Sequence, residues 1–333
     1  MLSDRVQEEM RAALAAAADA SATAAERAEM LMEIAMGLQR RPKSADQLHS
    51  AVELYQTALT LCPEDDGLLI ARITARLGTA LQAIPEQGTA QLERARAAFE
   101  AAIPVLKELG RPEELAEAEM NLGLVVQNLA GAGRARITDA ISAYQRALRT
   151  FDRVRFPAEF AILQNNLATA FLSMPFTDER AKMREALAVQ AFEEGLKVVN
   201  VIDNPSEYAM LQNNLGNALQ YASSSHTLEN NLRALDAYDE ALRVRTREAA
   251  PIEFANTIAN RANCLWNLPD QPEHPEFGNR AHLALAQAAY MEARAIFMEH
   301  GELDKARIVA EAIDQIGREI LSLAPTNGEA RAS

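Results

Sequence analysis

PSEYAMLQNNLGNALQYASSSHTLENNLRALDAYDEA, residues 205–241, reads as two helices joined by a polar loop. Pro205 sits where a first helical turn costs no hydrogen bond, and Glu207 meets the positive end of the helix dipole. Leu215-Gly216 then sets a large apolar side chain beside one too small to obstruct a neighbour. In the second half, Ala234, Tyr238 and Ala241 fall at i, i+4 and i+7, on one helical face. Small side chains there let a neighbouring helix approach, and the ring fills the space between them.

The same signature recurs outward in both directions. Small, aromatic and small residues repeat as Ala51-Tyr55-Ala58, Ala95-Phe99-Ala102, Ala140-Tyr144-Ala147, Ala188-Phe192-Gly195 and Ala286-Tyr290-Ala293. The aromatics step by 44, 45, 48, 46 and 52 residues. Ahead of them run Leu77-Gly78, Leu122-Gly123, Leu167-Ala168 and, after Leu215-Gly216, Arg261-Ala262, where the arginine breaks the pattern. Pro112, Pro157, Pro205 and Pro251 each open a Pro-x-Glu-apolar-Ala stretch and stop the helix before them. A fixed period of this length marks a repeat array.

Leu-Gly, then Ala-aromatic-Ala, then Pro resembles the tetratricopeptide (TPR) repeat, over residues 25–300. The family period is about 34 residues, shorter than these units. Pro63 follows Ala51 by 12 residues, whereas Pro157, Pro205 and Pro251 follow their alanines by 17. We read the excess as a second helix lengthened by more than a turn, with the rest in the loop inside each pair. Such long units, with Gln-Asn-Asn-Leu written twice, resemble repeats of the kinesin light-chain type and bacterial TPR arrays linked to proteases. No protease domain follows here, so no protease activity carries over.

The resemblance implies an all-α, right-handed helical-hairpin solenoid, a TPR superhelix, of about six repeats. We divide the chain into an alanine-rich helix within 1–24, six helix pairs in 25–300, and a capping helix with a tail in 301–333. In the last helix Ala306, Ile308, Val309, Ile313, Ile316 and Ile320 are expected to make the apolar face.

The resemblance also implies where a partner binds, because in that family the first helix of each pair lines the concave surface. The matching positions here are Ile162, Asn165, Thr169 and Leu172, then Met210, Asn213, Asn217, Gln220 and Tyr221. In the next repeat they are Asn256, Ala259, Asn263, Trp266 and Asn267. Asparagine amides can bracket a peptide group, and Met210, Tyr221 and Trp266 can anchor apolar side chains. A second reading stands beside it: Asn121, Asn166, Asn214 and Asn260, one position over, recur so regularly that they could tie adjacent helices together. The lysines of the carboxylate-gripping members are missing. The loops 173–180 and 268–280 form a further candidate edge.

Composition narrows the function. The formal net charge of −14 opposes binding to nucleic acid or to anionic membranes. Six arginines from Arg134 to Arg155 concentrate positive charge in one repeat and read either as a patch that steers an acidic partner or as a solvated face. Cys62 and Cys264 are too few for a disulfide framework, and no stretch reads as a secretory signal or spans a membrane, so a cytoplasmic setting is expected. The five histidines show no metal-ligand spacing, no phosphate loop or nucleophile motif occurs, and neither cofactor nor catalysis is expected. The leading expectation is therefore a non-catalytic scaffold, adaptor or assembly factor that holds a partner protein's segment. The alternative is a structural or self-assembling subunit that meets partners through its convex face or loops.

Overall fold

The computed structural model describes residues 4–18, 21–40, 42, 44–85, 88–175, 179–223 and 226–323. Its regular elements among the described residues are all helices, and the chain falls into two compact units, residues 1–156 and 157–333.

In the first unit α1 (Asp4–Ala17) covers the pair α2 (Ala24–Arg40) and α3 (Ala45–Leu61). The pairs α4 (Gly67–Ala83) with α5 (Ala90–Leu109), and α6 (Pro112–Gly131) with α7 (Ile137–Ala147), stack after it. The second unit repeats the plan. It has α8 (Pro157–Leu172) with α9 (Glu179–Leu196), α10 (Pro205–Gln220) with α11 (Thr227–Leu242), and α12 (Pro251–Trp266) with α13 (Arg280–Glu299). The last helix, α14 (Leu303–Ser322), lies on α13. The fold is thus all-α and built from helical hairpins.

The alternation of ring and glycine explains the hairpins. Tyr55, Phe99, Tyr144, Phe192 and Tyr238 are all fully buried. A Cβ added at Gly216 would lie 2.6 Å from the Tyr238 ring, one at Gly123 2.5 Å from Tyr144, and one at Gly78 3.0 Å from Phe99. The glycines are needed for this close approach, since each sits mid-helix at a cost in propensity. Where the ring is a tyrosine, its hydroxyl must find a partner. Tyr55 donates to Gln39 Oε1 at 2.9 Å and Tyr144 to Gln127 Oε1 at 2.8 Å. Tyr238 lies 2.7 Å from Asn217 Oδ1 and 2.8 Å from Gln220 Oε1. Gln82 stands 17 residues before Phe99, as Gln127 does before Tyr144, and its Oε1 is buried without a partner among the described residues.

Three expectations change. The second helices of the long units are not extended: α7, α9 and α11 have 11, 18 and 16 residues against 17 and 20 in α3 and α5. The extra residues form linkers 148–156, 197–204 and 243–250, and each contains a turn pinned by a polar side chain five residues before the proline. Asp152 Oδ1 accepts from the amides of Val154 and Arg155, Asn200 Oδ1 from those of Ile202 and Asp203, and Thr246 Oγ1 from that of Ala249. Such side chains offer the backbone an alternative to the helix ladder and so end it. Second, Ile308 is 59% exposed and lies off the apolar face of α14, while Ala306, Val309 and Ile316 are buried. Third, Arg261 breaks the Leu-Gly pattern because it is held at the surface by Asp239, 2.5 Å away on α11.

Candidate partner-binding face

Within the second unit the first helices α8, α10 and α12 lie side by side. Gln-Asn-Asn-Leu sets two adjacent asparagines on α8 and on α10, α12 has Asn260 at the matching place, and the structure joins them. Asn214 Nδ2 donates to Asn165 Oδ1 at 2.8 Å, linking α10 to α8. Asn260 Nδ2 donates to Asn213 Oδ1 at 3.4 Å, and the Thr257 hydroxyl, shared with the Glu253 carbonyl at 2.9 Å, lies 3.1 Å from the same oxygen, linking α12 to α10. Within the pairs, Asn165 Nδ2 donates to Asn166 and Asn213 Nδ2 to Asn214. Arg245 in the linker donates to Thr257 at 3.0 Å. The amides donate in one direction, Asn260 to Asn213 to Asn214 to Asn165 to Asn166, with Thr257 and Arg245 at the Asn213 end. Burial pushes the Arg245 guanidinium below its usual value, which the negative charge of Glu253 partly offsets.

The residues expected to face a partner therefore divide. Asn165 and Asn213 are 8% and 7% exposed and committed to the ladder, so they are not groove-surface donors. The physical reason is that unpaired buried amides are costly, and neighbouring helices supply the partners. Thr169, Met210, Asn217, Gln220, Asn256, Asn263 and Trp266 are half-buried, and Tyr221 is 69% exposed. The aromatic tips are fixed by helices that follow in the chain. Asn263 Nδ2 donates to Tyr221 Oη at 2.8 Å, and Trp266 Nε1 donates to Glu319 Oε2 of α14 at 2.8 Å. Thr257, Arg245 and Glu319 were not legible as parts of this face, because their contacts come from residues 12 to 53 positions away.

Two buried groups behind this face are held in their neutral forms. Tyr238 is pushed above its usual range by burial. The Cys264 thiol is pushed up to about 12 by burial, and its Sγ donates to the Asn231 carbonyl at 3.0 Å. A thiol held protonated in this way is inert.

The other candidates fare differently. Of the arginine run, Arg134, Arg136, Arg146 and Arg155 pair with Glu93, Asp139, Glu119 and Asp152. The loop 268–280 is a strap: Asp270 accepts from the amides of Ala281 and His282 at the start of α13, both at 2.8 Å. Residues 176–178 of the other loop lie outside the described residues. No helix among the described residues is long and apolar enough to cross a membrane.

No family model matches the sequence, and no curated protein matches it. Solved structures do. A Rap protein complexed with the competence and sporulation factor aligns at TM-score 0.53 and 10% identity, over 88% of this chain and 76% of that one. The apo form of RapI aligns at TM-score 0.52 and 13% identity, over 89% and 99%. The C-terminal part of a TPR repeat-containing protein from Cytophaga hutchinsonii aligns at TM-score 0.49 and 14% identity, over 89% and 96%. With the ring-on-glycine hairpins, the likeness to the two Rap structures shows a fold of repeated helical hairpins.

Proposed function

We propose that the chain is a non-catalytic protein-binding scaffold, and that α8, α10 and α12 hold an extended segment of a partner on their shared face. The observation that carries this reading is a pair of half-committed amides. Asn217 presents its Oδ1 to Tyr238, leaving Nδ2 without a partner among the described residues. Asn263 commits its Nδ2 to Tyr221, leaving Oδ1 open. The two occupy the same register on neighbouring helices, two residues past Leu215 and Arg261. A donor and an acceptor so placed match the carbonyl and N–H of a peptide backbone. Tyr221 and Met210 offer apolar contact beside them. The Rap fold was crystallised with a bound factor, which agrees with this use of such a fold.

Trp266 is the only tryptophan and lies in this face, so its fluorescence reports occupancy. The test is capture of partners from the native cell by the wild type and by the Asn217→Ala/Asn263→Ala double variant. Purified hits are then titrated against Trp266 emission. Tyr238 keeps Gln220 in that variant, so its folding is expected to hold. A partner bound equally by both proteins would sink the assignment.

Self-assembly through the linkers is the second reading. It is favoured by Val154 and Ile202, 82% and 84% exposed in turns fixed by Asp152 and Asn200. A mass that stays monomeric in light scattering over a hundredfold concentration range would remove it.

A further inference from the structure

We infer that the first helices of residues 4–156 form a second docking groove, for an acidic peptide segment that carries an apolar residue between its carboxylates. This inference does not rest on the face of the second unit. Two cavities of about 320 and 270 Å³ lie along α2, α4 and α6 and share Met36 and Arg76. Among the described residues, Arg40, Arg72, Arg76 and Arg111 line them with Glu33 and Glu114, an excess of positive charge in a chain of net charge −14.

The charges are not equally available. Glu114 is saturated: it accepts from Arg72 Nε and Nη2, from the Arg111 backbone amide and from Arg111 Nη2. Those donors outweigh its burial and hold its carboxyl below the usual range. It therefore repels an incoming carboxylate less than an unpaired acid would. Arg76 leans on Glu117 at 2.6 Å. Arg40, exposed in the last turn of α2, has no ion partner among the described residues. It is the group whose charge a ligand carboxylate can satisfy without breaking a pair. Met32 and Met36 floor the groove with flexible, polarisable surface that adapts to an aliphatic side chain. Interspersed glutamates make the groove unsuited to the unbroken phosphate row of a nucleic acid.

The test uses the full chain and a fluorescein-labelled Glu-Leu-Glu-Glu-Leu-Glu peptide in anisotropy titrations. Saturable binding is expected, weakening about tenfold or more between about 50 and 500 mM salt. Arg40→Gln and Met36→Gln are each expected to weaken it about tenfold, while Asn217→Ala/Asn263→Ala leaves it unchanged. Thermal midpoints accompany every variant, and if Met36→Gln loses stability, Arg40→Gln alone decides. The proposal is overturned by absence of saturable binding to the folded chain, or by unchanged affinity in Arg40→Gln. Equal or tighter binding of the lysine analogue of the peptide, or of a dT oligonucleotide, overturns it as well.

Discussion

The two units solve one problem with different chemistry. In residues 4–156 neighbouring first helices are tied by arginine–glutamate forks, Arg72 to Glu114 and Arg76 to Glu117, whose arginines remain about one-third exposed. In residues 157–323 the same role falls to uncharged carboxamides, with Asn165 and Asn213 buried and donating in sequence. An exposed ion pair is screened and contributes little. A buried amide chain allows no substitution that leaves a member unsatisfied. The first unit thus keeps charge on its inner face at small structural cost. The second removes charge from that face and makes its geometry rigid.

The largest expected effect breaks this contrast directly. Asn213→Asp sets a carboxylate oxygen against Asn214 Oδ1 in a buried place. It is expected to cost about 3 kcal/mol in chemical denaturation. Arg76→Gln in the first unit is expected to cost less than about 1 kcal/mol. Equal losses would remove the distinction.

Next comes the glycine pair. Gly216→Ala drives a Cβ into the Tyr238 ring and is expected to lower stability by about 1–3 kcal/mol. Gly37→Ala in α2, where a Cβ meets nothing within 4 Å, is expected to raise it by about 0.5–1 kcal/mol. Thermal melts of the two variants should move in opposite directions.

A smaller gain should come from Phe99→Tyr. The new hydroxyl would reach the orphaned Gln82 Oε1 as Tyr144 reaches Gln127, and about 1 kcal/mol of stabilisation is expected. A loss of stability would mean that the pocket beside the Phe99 ring cannot take the oxygen.

The smallest effect is a titration. The amide and guanidinium of Arg155, and the amide of Val154, hold the Asp152 carboxyl down to about 2. Because the folded value lies below the unfolded value of about 3.9, the linker turn is at full strength above that pH and weakens as pH falls through about 2. Carboxyl NMR should find Asp152 still ionised at pH 3; a midpoint near 4 would show the turn to be loose.

Much of the fold was legible because it depends on periodicity. Ala-aromatic-Ala and Leu-Gly announce which faces meet, and prolines at the first residue of α6, α8, α10 and α12 announce where helices begin. The linkers carry a helix-like composition, and only the turn-forming side chains of Asp152, Asn200 and Thr246, five residues before each proline, end the helices there. The candidate face was legible only in part. Spacing brought Asn165 and Asn213 to the inner flank of their helices, but whether a flank residue meets solvent or the next helix depends on how closely the helices stack.

The amino-acid sequence by itself determined the helical class, the hairpin unit and the small-to-large matching of ring and glycine, since each follows from contacts a few residues apart along one helix or across one loop. Only the tertiary structure decided which asparagines bind each other and which stay open, that Arg261 answers Asp239, and that the indole of Trp266 is spent on Glu319. Those pairings join groups from 22 to 53 residues apart, and their choice rests on the distance and tilt between packed helices, which no local pattern encodes.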